Sequence, residues 1–407
     1  MSDSPSPRPT PRPTPRSIQP VVVPIYQSTT YAQRAPGEHG GYTYSRAHNP
    51  TVSALEDALA RVEDPSGSLD VRATAYGTGM AAIATLVLTV LGGESRAGAG
   101  GHAVCSEVVY GGTVRLFEEV LVRLGVTVSF VDTGDPAAVA AAMRPDTRLL
   151  LVESPGNPTL RLTDLDAMAG IAHRQGALLA VDNTFLTGEL QRPFEHGADV
   201  VVVSTTKFVE GHNAALGGAL LVRDPELHER LDRVRKTLGT IQSPWGAWLT
   251  LQGLKTLELR LGRCSRTALR VARWLEGRPE VQRVLYPGLR SFPQRALARR
   301  QGCRQEGRGG GVLAFEVDDA PRFLRALRVV RVAENLGAVE TLATHPASMT
   351  HGDLSPERRE RLGVSDGLIR LSVGLEPEPV LIEDLERGLA ALRKILEKAP
   401  RGEGVSA

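Results

Sequence analysis

Between residues 101 and 223 the chain alternates short runs of branched apolar residues with stretches of helical spacing. The runs at 126–132, 149–153, 177–182, 200–204 and 219–222 are strand-length and offer no polar face. A strand that is apolar on both faces has to be covered on both. The α/β solution is a parallel sheet between layers of helix. Residues 163–175 predict one such helix, with Thr163, Asp164 and Asp166 at its start and Gly176 at its stop.

The flanking regions read differently. Residues 33–48 are rich in Gly and His and loop-like, whereas Val52, Leu55, Leu59 and Val62 put a helical apolar face on 51–63. Beyond about residue 258, the segments 311–317 and 368–375 alternate like strands, and 380–398 reads as a terminal amphipathic helix. A smaller α+β domain with a half-exposed sheet accounts for this. Residues 1–18 repeat Arg-Pro-Thr-Pro twice, the pattern of an extended arm. The expected organisation is thus a tail at 1–18, an N-terminal arm at 19–65, a large α/β domain at 66–257 and an α+β domain at 258–407.

Composition excludes several classes. At 42% hydrophobic and 23% charged, this is the chemistry of a globular chain, and no apolar run reaches the roughly 18 residues of a membrane span. The first residues lack the apolar core of a signal peptide. Cys105, Cys264 and Cys303 form no CxxC pair, which argues against a disulfide scaffold or structural zinc and for a reducing cytoplasm. Arg8, Arg12 and Arg16 outweigh Asp3 by two charges, the net charge of the whole chain. The remaining body is near neutral and has no electrostatic footprint for nucleic acid.

Three consecutive apolar runs end on polar groups: Glu153, then Asp182, then Ser204-Thr205-Thr206-Lys207. Spacings of 29 and 25 residues suit one helical crossover each. Ligands of open parallel sheets sit beyond the carboxyl ends of the strands, so these ends should share a crevice. Taken singly, Asp182 reads as a helix cap and Lys207 as a solvated charge. Lysine, however, is scarce here: of 48 basic residues only Lys207, Lys236, Lys255, Lys394 and Lys398 are lysines. A desolvated lysine suits Schiff-base chemistry, and a carboxylate beside it can keep a pyridine nitrogen protonated. Ser204 and Thr206 offer hydroxyls to a phosphate. Gly77-x-Gly79 reads as a turn onto a helix at 81–91, whose N-terminus attracts phosphate. In 368–375, Arg370 and Ser372 share the less apolar strand face, where a guanidinium can grip a carboxylate bidentately.

An ordered set of motifs runs through the same residues: Tyr44-Ser45-Arg46 before Asn49-Pro50-Thr51, Gly77-Thr78-Gly79-Met80-Ala81-Ala82, Tyr110-Gly111-Gly112-Thr113, and Glu153-Ser154-Pro155-Gly156-Asn157-Pro158. Val181-Asp182-Asn183-Thr184, Ser204-Thr205-Thr206-Lys207, His345-Pro346-Ala347-Ser348-Met349-Thr350-His351 and Arg370-Leu371-Ser372-Val373-Gly374 complete it. With these the chain resembles, from about Gln27 to Leu396, the Cys/Met-metabolism family of pyridoxal-phosphate enzymes. That family includes cystathionine γ-synthase, cystathionine γ-lyase and methionine γ-lyase.

The resemblance implies a fold-type I enzyme with pyridoxal 5'-phosphate as cofactor and an amino acid as substrate. It also implies a homo-oligomer, a dimer of dimers, whose sites are shared between subunits. Lys207 would carry the cofactor as an imine and shuttle protons, Asp182 would bind its pyridinium nitrogen, and Asn157 its ring oxygen. Gly79, Met80, Ser204 and Thr206 would hold the phosphate, joined by Tyr44 and Arg46 from a neighbouring subunit, with Tyr44 also beside the substrate. Tyr110 would stack on the ring and assist the leaving group, and Arg370 would bind the substrate α-carboxylate. The implied reaction is trans-sulfuration chemistry at the γ-carbon through a vinylglycine-type intermediate. Replacement and elimination share these residues, and the synthase-like Arg115-Leu116-Phe117 after Tyr110-Gly111-Gly112-Thr113 favours replacement.

Two departures bear on substrate. Asn335-Leu336-Gly337 has Asn where the family commonly has Ser, near the substrate carboxylate, and Gly112 stands where methionine γ-lyases usually carry Cys. Two other signals carry less. Gly77-Thr78-Gly79-Met80-Ala81-Ala82 also fits a dinucleotide fingerprint, the basis of a rival nicotinamide-oxidoreductase reading, but has no convincing strand before it. His345 and His351 are not at helical ligand spacing, so no metal is expected.

Overall fold

The computed structural model describes residues 20–92, 100–302 and 309–396; the tail expected at 1–18 lies outside them. Seven strands form the larger sheet: β1 (Arg72–Tyr76), β2 (His102–Ser106), β3 (Thr127–Val131), β4 (Thr147–Glu153), β5 (Leu178–Asp182), β6 (Val200–Val203) and β7 (Gly218–Val222). Their order is β1-β7-β6-β5-β4-β2-β3. The strands from β6 through β3 are parallel, as the two-sided apolar runs require, and side chains alternate between two covered faces. Val200 and Val202 pack with the helix Gly79–Leu91 on one face, while Val201 and Val203 pack with the helices Pro50–Glu63 and Pro244–Leu254 on the other. The predicted helix at 163–175 forms over Leu165–Arg174, its N-cap Asp164 accepting from the Ala167 amide.

The sheet is mixed rather than wholly parallel, because β7 runs antiparallel to both β6 and β1. A parallel return needs a crossover, usually a helix. Residues 204–217 contain none, so the chain doubles back directly. Two strands depart from the sequence reading. β1 does precede Gly77, but as an antiparallel edge strand, outside the βαβ unit a dinucleotide site requires. β2 was hidden by its polar opening residue. His102 is buried, with Nδ1 2.7 Å from Thr147 Oγ1 and Nε2 3.0 Å from Ser129 Oγ, so a polar side chain sits satisfied inside the sheet.

The second sheet has the order β10-β11-β12-β9-β8, comprising β8 (Val281–Leu285), β9 (Val312–Val317), β10 (Arg331–Val332), β11 (Leu342–Thr344) and β12 (Leu368–Ser372). Ile369, Leu371 and Val373 join Leu313, Phe315 and Val317 in a core under the helices Leu257–Glu276, Ala320–Ala326 and Glu378–Leu396. The expected half-exposed sheet is not found here: every residue of β12 is buried. The alternation is genuine, but Arg370 faces an internal cleft and the Ser372 hydroxyl accepts from the Gly337 amide, so neither meets solvent.

Candidate active site

β4, β5 and β6 lie side by side, with Glu153 opposite Asp182 and Asp182 opposite Val202. Their carboxyl ends open on one cavity of about 310 Å³, which the polar face of β12 closes from the other sheet. Gly79, Met80, Tyr110, Asn157, Asp182, Ser204, Thr206, Lys207 and Arg370 all line it. Asn335 joins them through its side chain, whose Oδ1 accepts from Lys207 Nζ at 2.5 Å. Tyr44 and Arg46 stand outside this cavity. Tyr44 is exposed, and the Arg46 guanidinium lies 5.4 Å from its ring centre while donating to the Lys236 carbonyl at 2.7 Å.

Local structure explains the positions. Thr78 caps the helix Gly79–Leu91 by accepting from the Ala81 amide at 2.9 Å, leaving the helix N-terminus free to face the cavity. Gly79 presses so close to β6 that a Cβ there would sit 3.0 Å from Ser204 Cβ. The Ser204 amide donates to Thr184 Oγ1, and the Thr206 hydroxyl is tied to both the amide and the carbonyl of Gly217. Lys207 follows in the same tight turn, its amide donating to the Ser204 carbonyl.

The charges are poorly compensated. Burial lowers the Lys207 amine to about 8, assisted by Arg370 and opposed by Asp182. Burial raises Asp182 above the ordinary carboxylate range, against hydrogen bonds from Thr184. Burial, with the Asp182 charge added, raises Glu153 to about 8. Arg370 is lowered to about 10 by burial, partly offset by Glu153 and Glu334. Among the described residues its guanidinium bonds only neutral oxygens: Asn157 Oδ1 at 2.8 Å, Thr344 Oγ1 at 3.0 Å and the Asn335 carbonyl at 3.1 Å.

Sequence reasoning placed Glu153 at the crevice but gave it no role. One carboxylate oxygen accepts from the Tyr110 amide and the other from the Asn157 amide, both at 2.9 Å. It therefore fixes two residues that line the cavity, a function that its strand-end position alone does not reveal. Thr184, Glu334 and Thr350 also line the cavity without having been singled out for it. His345 has both ring nitrogens engaged, by Ser348 Oγ and the Asp366 carbonyl.

A strand-end lysine, a buried acid opposite it and a capped helix terminus define an α/β enzyme built around a phosphate-bearing carbonyl cofactor. Residues 10–390 match the model of the Cys/Met metabolism PLP-dependent enzyme family. Among curated relatives, the chain is 44% identical to O-succinylhomoserine sulfhydrylase of Pseudomonas aeruginosa, over 89% of this chain and 87% of the relative. It is 41% identical to cystathionine gamma-lyase of Bacillus subtilis, over 91% and 94%. The crystal structure of cystathionine gamma synthase from Xanthomonas oryzae pv. oryzae, in complex with aminoacrylate and cysteine, superposes with a TM-score of 0.85 at 38% identity, over 92% of this chain and 94% of that one. The chain belongs to the Cys/Met metabolism family of PLP-dependent enzymes.

Pyridoxal phosphate is thus its cofactor, and the donor set fits that group. The cavity provides one amine for the carbonyl, a buried carboxylate for the ring nitrogen, and a helix N-terminus beside the Ser204 hydroxyl for the phosphate. Among the described residues the Arg370 Nε is buried without a hydrogen-bond partner, as is the Arg235 Nε outside the cavity.

Proposed function

We propose that this enzyme performs γ-replacement on an activated homoserine-type amino acid, in the manner of a cystathionine γ-synthase. The observation that carries the reading is the convergence of Lys207, Asp182 and Arg370 on one cavity: an amine, a buried carboxyl group and a guanidinium. The 44% identity to a sulfhydrylase acting on an acylated homoserine supports replacement. Elimination is the second reading, favoured by the several cystathionine gamma-lyases at 40–41% identity.

When bound, the cofactor supplies a sink for the electron pair left on the substrate α-carbon. Lys207, with its amine lowered to about 8, is partly neutral near physiological pH and takes the Cα proton. Asp182 holds the ring nitrogen's proton from a site shielded from water. Arg370 receives the α-carboxylate through its planar fork. Asn157, whose Oδ1 accepts from Arg370, would bind the ring oxygen. Gly79, Met80, Ser204 and Thr206 form the phosphate wall. Tyr110 stands half-exposed at the mouth, its amide held by Glu153, in position to serve the ring face and the leaving group. The 66–257 and 258–407 regions then act as two domains closing over one cavity. A cytoplasmic setting fits the free thiols of Cys105 and Cys264; no helix among the described residues is long and apolar enough to cross a membrane.

The test is product analysis. O-acyl homoserines with a thiol should give the thioether amino acid, and without a thiol should give 2-oxo acid only slowly. Faster 2-oxo acid and ammonia release from cystathionine would replace this reading with elimination.

The proposal extends to assembly, with Tyr44 and Arg46 completing the phosphate site of a neighbouring subunit in a dimer of dimers. Mixing inactive Arg46→Ala and Lys207→Ala chains should restore up to about one quarter of wild-type activity, because one site of each mixed dimer is intact. No recovery after demonstrated subunit exchange would confine Arg46 to its own chain.

A further inference from the structure

Lys207 is not held by a charge but by an amide, and that amide is the first of two. Nζ donates to Asn335 Oδ1 at 2.5 Å, Asn335 Nδ2 donates to Asn213 Oδ1 at 2.6 Å, and Asn213 Nδ2 donates to Glu340 Oε2 at 3.1 Å. An ammonium group has donors only and a carboxylate has acceptors only. With those two ends fixed, only one orientation of each intervening amide makes all three bonds. Turning either over sets N–H against N–H. Glu340 is exposed at the far end, so a surface carboxylate determines which atom of Asn335 meets the buried amine.

The backbone holds the two amides against each other. The Asn335 carbonyl accepts from Arg370 at 3.1 Å, and the Val339 amide donates to the Gly211 carbonyl at 2.9 Å. Gly337, at φ +82°, lies so close to Phe208 that a Cβ would come within 2.5 Å of its amide nitrogen. Asn213 itself is left-handed at φ +56°, a conformation asparagine tolerates better than most residues.

We propose that Asn213 and Glu340 are positioning residues for Lys207, holding the Asn335 amide so that its oxygen faces Nζ. The proposal rests on the reading of Lys207 as the cofactor-bearing lysine. Accepting from Nζ favours the protonated amine and fixes the direction of its remaining valences. It opposes burial and Arg370, which favour the neutral form, and works alongside Asp182. The other charged groups around the relay are Glu334 beside Arg370, Glu210 and His212 next to Asn213, and Glu376, which accepts from the Thr341 amide. None of them is bonded to either amide of the relay among the described residues.

Competitive acetylation of the cofactor-free protein across pH, read by peptide mass spectrometry, gives the titration of Lys207 directly. Asn335→Leu should lower its midpoint by about one pH unit, the worth of one hydrogen bond to a charged group. Glu340→Gln should lower it by about half as much, with an unchanged melting curve because the site is exposed. Loss of the Glu340 charge would also act through space, so the decisive measurement is Glu340→Gln in the Asn335→Leu background. A relay predicts no further shift there. An equal shift in both backgrounds, or none in either, overturns the relay. Borohydride reduction of the holoenzyme followed by peptide mapping separates the two layers. An adduct on a lysine other than Lys207 overturns the parent reading and the relay with it. An adduct on Lys207 together with non-additive shifts sustains both.

Discussion

Three arginines are buried among the described residues, Arg235, Arg260 and Arg370, and the first and last are buried differently. Arg235 is 1% exposed and meets two carboxylates, Glu56 and Asp232, the latter at 2.6 Å, together with the Ala75 carbonyl at 3.0 Å. Burial disfavours its charge, yet those carboxylates more than compensate and raise its pKa. Arg370 is 3% exposed, bonds only neutral oxygens among the described residues, and its pKa falls to about 10. The first guanidinium has its counter-charges within the chain. The second has Glu153 and Glu334 acting only through space and no hydrogen-bonded carboxylate among the described residues, and in the proposed role a substrate carboxylate supplies one. The same contrast extends to Lys207, Asp182 and Glu153, each displaced by burial toward its neutral form. Unmet charge in a cavity marks where a ligand is to bind.

The comparison can be broken at several points. Lys207→Ala should cut turnover by about ten-thousandfold or more, since in the proposed roles it removes both the cofactor's attachment and the proton-moving amine. Lys207→Arg should do no better, because a guanidinium keeps the charge but forms no imine at neutral pH. Steady-state rates and the visible absorbance of the lysine-bound cofactor check this. Next come the two arginines in denaturant unfolding of the cofactor-free protein. Arg235→Met should cost about 3–5 kcal/mol because it strands Glu56 and Asp232, whereas Arg370→Met should be within about 1 kcal/mol of wild type or more stable. Equal losses would erase the distinction drawn here.

The smallest effect concerns Glu153. Its pKa is raised from 4.5 to about 8 by burial and Asp182. Between those values the native state keeps a proton that the unfolded chain has released, so stability falls as pH rises through that window. Glu153→Gln should flatten this decline in the melting temperature of the cofactor-free protein. An unchanged slope would show that Glu153 does not titrate there.

What was legible in the sequence was what the backbone repeats. Glu153, Asp182 and Lys207 ended apolar strands, and the parallel register of β4, β5 and β6 puts strand ends together. Arg370 and Ser372 were correctly set on one face of β12, but that face is covered by Asn157, Asn335, Thr344 and Gly337, from other parts of the chain, which alternation cannot show. β2 escaped because His102 broke an apolar pattern while being satisfied internally by Thr147 and Ser129. The bond between Asn335 and Lys207 depends on two loops meeting, and no local signal encodes it.

The central claim is that the unpaired Arg370 receives the substrate's α-carboxylate. Comparing kcat/KM for an amino-acid substrate with that for its α-carboxamide, in wild type and in Arg370→Met, tests this most directly. Wild type should prefer the carboxylate by about a hundredfold to a thousandfold, in line with a buried charge pair, and the variant should lose nearly all of that preference by losing rate on the carboxylate alone. A variant that still discriminates as wild type does would place the carboxylate elsewhere and contradict the account.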